Sequence, residues 1–212
     1  MQRRLQPEIL DTLSPDDPAA LRNRRDLRLI NRAMGTARWF TGELQRRVRP
    51  AERILEIGAG TGDLGRHLRA RGFLVDGLDL WPRPADWPAD AAWHQADLRK
   101  FEGYSNYSVI LASLIFHQFD EADLAEIGSR LSHARVLLAS EPARKRRAKV
   151  FLAVGGAVLG ANYVTRHDAR VSVEAGFLRD ELPRFLRMDR SGWSWQAAVY
   201  RLGFYRLTAE RL

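Results

Sequence analysis

One short stretch of the chain, ILEIGAGTGDLGRHL at residues 54–68, combines glycines with acids. Gly58, Gly60 and Gly62 follow an apolar run in a G-x-G-x-G pattern, and a helical pattern comes after them. Glycines between a strand and a helix let a ligand approach the backbone closely, as they do at nucleotide-binding turns. The stretch therefore predicts a loop that holds a small ligand.

The acids of this stretch restrict the kind of ligand. Glu56 lies at the end of the apolar run, and Asp63 stands where the dinucleotide fingerprint G-x-G-x-x-G requires its third glycine. This pair would repel a pyrophosphate, whereas a carboxylate at a strand end suits a positive amino group. The pattern favours S-adenosylmethionine, which carries an ammonium group and a sulfonium and no phosphate, over a dinucleotide.

Two further acids follow the next two strand candidates. Asp79 closes FLVDGLDL, about twenty residues beyond the loop, where a carboxylate can accept hydrogen bonds from both ribose hydroxyls. Asp97 in HQADLRKF could accept from an adenine amino group, with the Leu98 amide beside it. Each acid has an alternative interpretation as a solvated loop carboxylate or a helix cap, which is weakest for Glu56 and strongest for Asp97.

Alternating strand and helix patterns must position these residues. The helix candidates are 62–71 and 121–132, with a turn at 97–101. Such alternation predicts a parallel sheet covered on both faces. The end of the chain, 193–211, predicts an antiparallel hairpin about a turn at 202–203. The strand candidates are 53–57, 73–78, 91–94, 107–112 and 135–139.

The N-terminal 49 residues carry apolar residues at helical spacing, with Gly35 and Gly42 expected to divide them into helices. We expect two parts, an N-terminal helical lid or extension at 1–49 and a ligand-binding domain at 50–212. Trp39 and Phe40, together with the apolar run at 150–164, are candidates for an apolar lid or for ordinary core packing.

Composition limits the class of protein. A chain of 212 residues with 45% hydrophobic and 28% charged residues is typical of one globular core. It has no cysteine, which excludes disulfides and thiolate chemistry. The apolar run at 150–164 is shorter than the roughly 20 residues that a membrane-spanning helix needs, and no secretory signal follows the first residues, so we expect a cytoplasmic protein.

The net charge of +8 comes almost entirely from arginine. A basic balance is compatible with an anionic partner such as nucleic acid. However, the arginines are spread along the chain, and RKRRAK at 144–149 is the one cluster. A solvated arginine-rich surface is the favoured interpretation, so a nucleic-acid partner is not expected.

Several motifs together resemble the class I S-adenosylmethionine-dependent methyltransferases over residues 50–212. ILEIGAGTGDLGRHL is similar to the first motif of that family, VDGLDL to the second and HQADLRKF to the third. YSVILASLIFHQFDEADLAEI resembles its fourth strand and following helix, and ARVLLASEP its fifth strand. The resemblance implies an α/β fold with a Rossmann-like seven-stranded sheet of order 3-2-1-4-5-7-6, whose last strand is antiparallel.

The resemblance also implies the cofactor site. Glu56 would lie near the methionine amino group, Asp79 would bind ribose, and Asp97 with Leu98 would bind adenine. S-adenosylmethionine would be the cofactor and S-adenosylhomocysteine the product, and no metal site is expected. The remaining residues expected to line the cofactor site are Gly58, Ala59, Gly60, Thr61, Gly62, Leu80, Ala112 and Ser113.

LIFHQF is similar to a pattern found in small-molecule methyltransferases of the quinone-biosynthesis type, with Gln118 in place of a second histidine. We therefore expect a small, apolar or aromatic methyl acceptor. His117, after the fourth strand, is the candidate general base, with His167 and Asp168 as further candidates. An RNA or protein methyltransferase, a module that binds S-adenosylmethionine without catalysis, and a nicotinamide-dependent oxidoreductase remain as alternatives.

Overall fold

A computed structural model describes residues 2–14, 16–148, 160–200 and 203–212. In these ranges seven strands form one sheet of order β3-β2-β1-β4-β5-β7-β6. The strands are β1 Arg53–Ile57, β2 Leu74–Asp79, β3 Trp93–Gln95, β4 Val109–Ser113, β5 Val136–Pro142, β6 Trp193–Val199 and β7 Phe204–Arg211. The first five strands pair in parallel, and β7 is antiparallel to both β5 and β6. The predicted fold class, sheet order and antiparallel last strand are confirmed.

Helices cover both faces of this sheet. They are α1 Pro18–Ala33, α2 Thr36–Arg47, α3 Asp63–Arg69, α4 Glu121–Arg130, α5 Tyr163–Ala175 and α6 Glu181–Phe185. Side-chain caps start three of them, because Asp17, Asp120 and Asn162 accept hydrogen bonds from backbone amides at the first turns of α1, α4 and α5. None of the helices within the described ranges is both long and apolar enough to span a bilayer.

The N-terminal region differs from the prediction in two ways. Among residues 2–14 helical structure is limited to a short 3-10 turn at Leu10–Thr12, so the expected helix there was wrong. Gly42 lies inside α2, where an added Cβ atom would meet open space. Only Gly35, in the left-handed conformation at φ 62°, separates two helices. The apolar run at 150–164 falls largely outside the described residues.

Helix α2 is part of the core. Phe40 and Leu44 are fully buried and pack with Ile54, Val75 and Val109 of the sheet. A lid role for Phe40 was therefore wrong, because its ring packs against the sheet instead of facing a ligand, and Trp39 packs against the same cluster. The division of the chain at residue 49 stays a prediction.

The sheet order reverses beside β1, because β1 pairs with β2 on one side and with β4 on the other. In open α/β sheets the crevice at such a reversal, at the carboxyl ends of the strands, is where ligands bind. The fold therefore points to the ends of β1, β2 and β4 as the place to look for a site.

Candidate functional site

The loop after β1 takes a conformation that favours glycine. Gly58, Gly60 and Gly62 have φ angles of 66°, 54° and 72°, which L-residues with a side chain adopt only at a cost. A Cβ atom at Gly58 would lie 2.5 Å from the side chain of Ile115, whereas one at Gly60 would meet open space. A Cβ atom at Gly62 would lie 2.7 Å from the ring of Trp87. Only part of the loop is therefore open to a ligand.

Glu56 is a buried acid that precedes this loop. The residue is 3% exposed, and its Oε2 atom has no hydrogen bond of ordinary geometry within the described residues, although the Gly65 amide lies close enough to the carboxyl to lower its pKa. Burial raises the pKa of Glu56 to about 8, and the charges of Asp79 and Asp63 act in the same direction, against the backbone amide of Gly65. A buried acceptor without a partner is costly in a folded protein, so this position is suited to a ligand that donates a hydrogen bond.

Asp79 ends β2 and is tied to the glycine loop. Its carboxylate accepts hydrogen bonds from the backbone amides of Gly60 at 2.7 Å and Trp81 at 2.9 Å. Burial raises the pKa of this group, and the amide hydrogen bonds oppose that change. Asp79 thus holds the two loops together, and each oxygen keeps acceptor capacity for a ligand.

Asp97 forms an ion pair instead of remaining free. Its carboxylate accepts from Arg99 Nη2 at 2.6 Å and from the Arg99 amide at 2.9 Å, and these hydrogen bonds lower its pKa. The neighbouring Leu98 is buried at the same wall of the crevice. Both oxygens of Asp97 already accept hydrogen bonds from Arg99. Of the two predicted adenine contacts, Leu98 is therefore the better candidate.

These groups meet in one cavity of about 1570 Å³. Ten of the twelve predicted cofactor residues line it: Glu56, Gly58, Ala59, Gly60, Thr61, Asp79, Leu80, Asp97, Leu98 and Ser113. Ala112 and Gly62 are not among the residues that line it, and their contact with a cofactor stays a prediction. Ala112 is fully buried within the sheet, and Gly62 is covered by Trp87.

Helix α1 forms the roof of the cavity. The guanidinium of Arg24 stacks on Trp81, 4.5 Å from the ring centroid, and Arg28 lies 3.8 Å from Asp63 at the start of α3. The helix thus reaches both loops that follow β1 and β2. This location agrees with the expectation that N-terminal helices cover the site.

His117 lies at another wall of the cavity, in a buried line of charges. Its Nδ1 is 2.7 Å from Glu141 and its Nε2 is 3.3 Å from Glu8. Burial lowers the pKa of His117, but the two carboxylates outweigh burial and raise it to about 9. The ring is therefore a cation near neutral pH, with both nitrogens engaged by carboxylates.

The chain's first residues, 3–10, close this wall as a strap. The guanidinium of Arg3 donates to the carbonyls of Phe119 and Ala175, at 2.6 and 2.8 Å. The Asp168 carboxylate accepts from the amides of Ile9 and Leu10, and His167 Nδ1 lies 3.1 Å from it. His167 and Asp168 are therefore paired within α5, and Asp168 anchors the strap.

Sequence reasoning missed Glu8 and Glu141. Glu141, fully buried, accepts from three consecutive amides at 115–117 as well as from His117. The signal for it was available, since an acid follows the fifth apolar run just as acids follow the first three. No local pattern marks Glu8, because it lies on the strap, 109 residues before His117 in the sequence.

Comparison of the sequence with known proteins gives a partial match. No family model matches the chain. A protein of Geobacillus sp. (strain WCH70) with the provisional name of a methyltransferase is 31% identical over 91 residues, a match that covers 38% of this chain and 37% of that protein. The matched part is thus little more than a third of that relative.

Solved structures match over nearly the whole chain. The plantazolicin methyltransferase BpumL in complex with SAH has a TM-score of 0.72 at 11% identity, covering 93% of this chain and 92% of that one. The glycopeptide N-methyltransferase MtfA complexed with sinefungin has a TM-score of 0.56 at 17% identity, covering 83% and 92%. The chain therefore has the fold of the class I S-adenosylmethionine-dependent methyltransferases, as its motifs predicted.

Proposed function

We propose that this protein is an S-adenosylmethionine-dependent methyltransferase that acts on a small molecule or a peptide. The observation that carries the proposal is the buried carboxyl of Glu56, which lines the same cavity as Gly58 and Gly60 and whose Oε2 has no hydrogen-bond partner among the described residues. An acid whose pKa is raised by burial gains most from a cationic ligand. The bound complexes of the structural neighbours, with SAH or sinefungin, support the same ligand class.

The residues present fit this cofactor. In the proposal Glu56 accepts from the methionine ammonium, Asp79 accepts from the ribose hydroxyls, and Leu98 packs on the adenine. Gly58, Gly60 and Thr61 let the cofactor approach the backbone. Once bound, S-adenosylmethionine supplies an electrophilic methyl group on its sulfonium.

The acceptor occupies the apolar part of the cavity beyond the cofactor loops. In this proposal the acceptor contacts the apolar side chains that also line the cavity, namely Leu27, Ile30 and Met34 from the N-terminal region together with Val173 and Phe204. Such a lining favours an apolar or aromatic acceptor and excludes water from the transfer. In this proposal the chain's main contribution is to hold the acceptor in line with the methyl group.

A general-base role for His117 stays a prediction, and the structure specifies what it requires. A base must be neutral, and the carboxylates of Glu141 and Glu8 keep the ring protonated up to about pH 9. In the assignment that we favour, His117 is a positioning residue that joins the strap to the end of β4. We further propose a cytoplasmic location.

Calorimetric titration with S-adenosylmethionine tests the proposal. We expect saturable binding by the wild-type chain, and in Asp79→Ala a loss of about 1–3 kcal/mol, the range for leaving hydrogen-bonding groups unpaired. Asp97→Ala serves as the control and should bind nearly as wild type, since its carboxylate is already paired with Arg99. Absence of binding by a folded wild-type chain would refute the proposal.

Binding of S-adenosylmethionine without methyl transfer would favour the alternative interpretation, a module that binds this cofactor without catalysis. Release of S-adenosylhomocysteine with a panel of apolar and aromatic acceptors distinguishes the two. An RNA or protein methyltransferase would instead transfer the methyl group to macromolecular acceptors in the same assay.

A further inference from the structure

The solvent side of α1 combines exposed leucines with arginines. Leu21 and Leu29 are 51% and 39% exposed, and their spacing of eight residues places them on one side of the helix. Arg25 and Arg32 lie on that side too, at helical spacing from the leucines. Neither guanidinium has a hydrogen-bond or ion-pair partner among the residues that the structure describes. The side is therefore both apolar and free to bind an anion.

No acid offsets these charges along α1. Asp26 is the only acid in the helix, and it points inward, where it is 6% exposed and accepts from the hydroxyl of Thr165 at 2.8 Å. The positive charge of the outer side is therefore uncompensated within the helix.

Other exposed apolar side chains surround this helix. Tyr163 is 56% exposed at the start of α5, which is joined to α1 by the hydrogen bond from Asn162 to the Ala19 carbonyl. Leu80 is 67% exposed beside Trp81, on which Arg24 of α1 stacks. Together with Leu21 and Leu29 they are four of the eight large exposed apolar residues in the described ranges, so the exposed apolar surface is concentrated here.

This surface borders the mouth of the cavity. Arg25, Leu29 and Arg32 of α1 and Leu80 beyond β2 line the cavity that holds the glycine loop. An apolar acceptor that leaves a lipid phase at this surface would reach the cavity without crossing water.

We propose that the α1 face, defined as Leu21, Arg25, Leu29, Arg32, Leu80 and Tyr163, binds an anionic membrane surface from which the acceptor is taken. Arginines attract anionic headgroups while exposed leucines insert at the boundary of the acyl chains. A phosphate backbone would use the arginines but would leave the leucines without a role. The delivery of an acceptor rests on the proposed function, whereas binding to vesicles does not.

Vesicle flotation with the full chain tests the proposal. The probes are phosphatidylcholine vesicles with and without phosphatidylglycerol, at low and high salt. We expect binding to the anionic vesicles to be at least about tenfold tighter, and Arg25→Glu with Arg32→Glu to remove most of that preference. Leu21→Ser with Leu29→Ser should weaken binding about threefold or more while keeping its salt dependence.

Arg46→Glu with Arg190→Glu is the matched control, since it makes the same change of net charge. Arg46 lies in the last turn of α2 and Arg190 lies just before β6, at the opposite end of the strands from the cavity. Thermal unfolding of each variant confirms that it is folded.

Equal weakening by the control pair would refute the α1 face, as would equal binding to both kinds of vesicle. Binding of a single-stranded RNA that the arginine variant loses and the leucine variant keeps, without vesicle binding, would assign the face to nucleic acid and overturn the proposal. Calorimetry measures S-adenosylmethionine binding in a separate experiment. Absence of that binding would refute the proposed function and would not affect the result with vesicles.

Discussion

The two ends of the cavity are built in different ways. The cofactor end is formed by a continuous stretch after β1 and by the acid that ends β2, so its geometry depends on local backbone conformation. The end at His117 joins the first residues of the chain to β4, β5 and α5 through buried charges. The loop contacts more distant residues at Asp79 and Ile115, whereas each buried charge around His117 needs its partner to remain compensated.

The largest expected effect is at the charged end. Glu141→Ala should lower the free energy of unfolding by about 3–5 kcal/mol, because it leaves His117 and three backbone amides without their buried carboxylate. Urea unfolding monitored by circular dichroism measures this change. Glu126→Ala, at an exposed ion pair with Arg130, should cost less than about 1 kcal/mol. A loss for Glu141→Ala as small as that control would contradict the charge network.

The second prediction compares both ends through pH. Glu56 and His117 each have a raised folded-state pKa, to about 8 and about 9. Between its unfolded and its folded pKa each group binds a proton only when folded, so the free energy of unfolding falls as pH rises. The window for Glu56 runs from about pH 4.5 to about 8, and that for His117 from about pH 6.5 to about 9.

The loss from His117 across its window should be on the order of 3 kcal/mol. Unfolding experiments at successive pH values measure it. Glu56→Gln, which cannot ionise, should make the curve less steep between pH 5 and 6, below the window of His117, while Asp11, whose pKa burial raises to about 6, keeps its contribution in both proteins. An unchanged slope in that interval would mean that the pKa of Glu56 is not raised.

The third prediction concerns the local end. Gly58→Ala should cost about 1–2 kcal/mol for the left-handed conformation, with more from the close approach to Ile115, and should weaken cofactor binding. Unfolding and titration experiments on the same variant measure the two effects.

Gly42→Ala is the matched control, because Gly42 lies inside α2 and an added Cβ atom would meet open space there. It should stabilise the protein by about 0.5–1 kcal/mol, because alanine favours a helix more than glycine does. Similar results for the two glycine variants would show that the loop conformation does not depend on glycine.

The sequence predicted the cofactor end of the cavity better than the end at His117. The strands and the acids at 56 and 79 were predictable, because they depend on short periodic patterns and on fixed spacing from a glycine loop, whereas the sheet order was implied by the resemblance to the methyltransferase family. The prediction for Asp97 missed its ion pair, since a neighbouring arginine in sequence gives no indication of the rotamer that it will take. The helix expected before residue 14 was wrong because that segment gains its hydrogen bonds from α5 and from the segment between β4 and α4, which are distant in sequence.

By itself the sequence determined the α/β class, the glycine loop and the acids that face it, because neighbouring residues in the chain control backbone conformation and strand ends. Only the tertiary structure decided that Phe40 packs against the sheet, that α1 covers the cavity, and that Glu8 and Glu141 enclose His117. Those contacts join segments that are apart in sequence, as in the separations of 24 and 109 residues from His117 to its two acids. Their free energy comes from burial and charge pairing between segments, which no local pattern encodes.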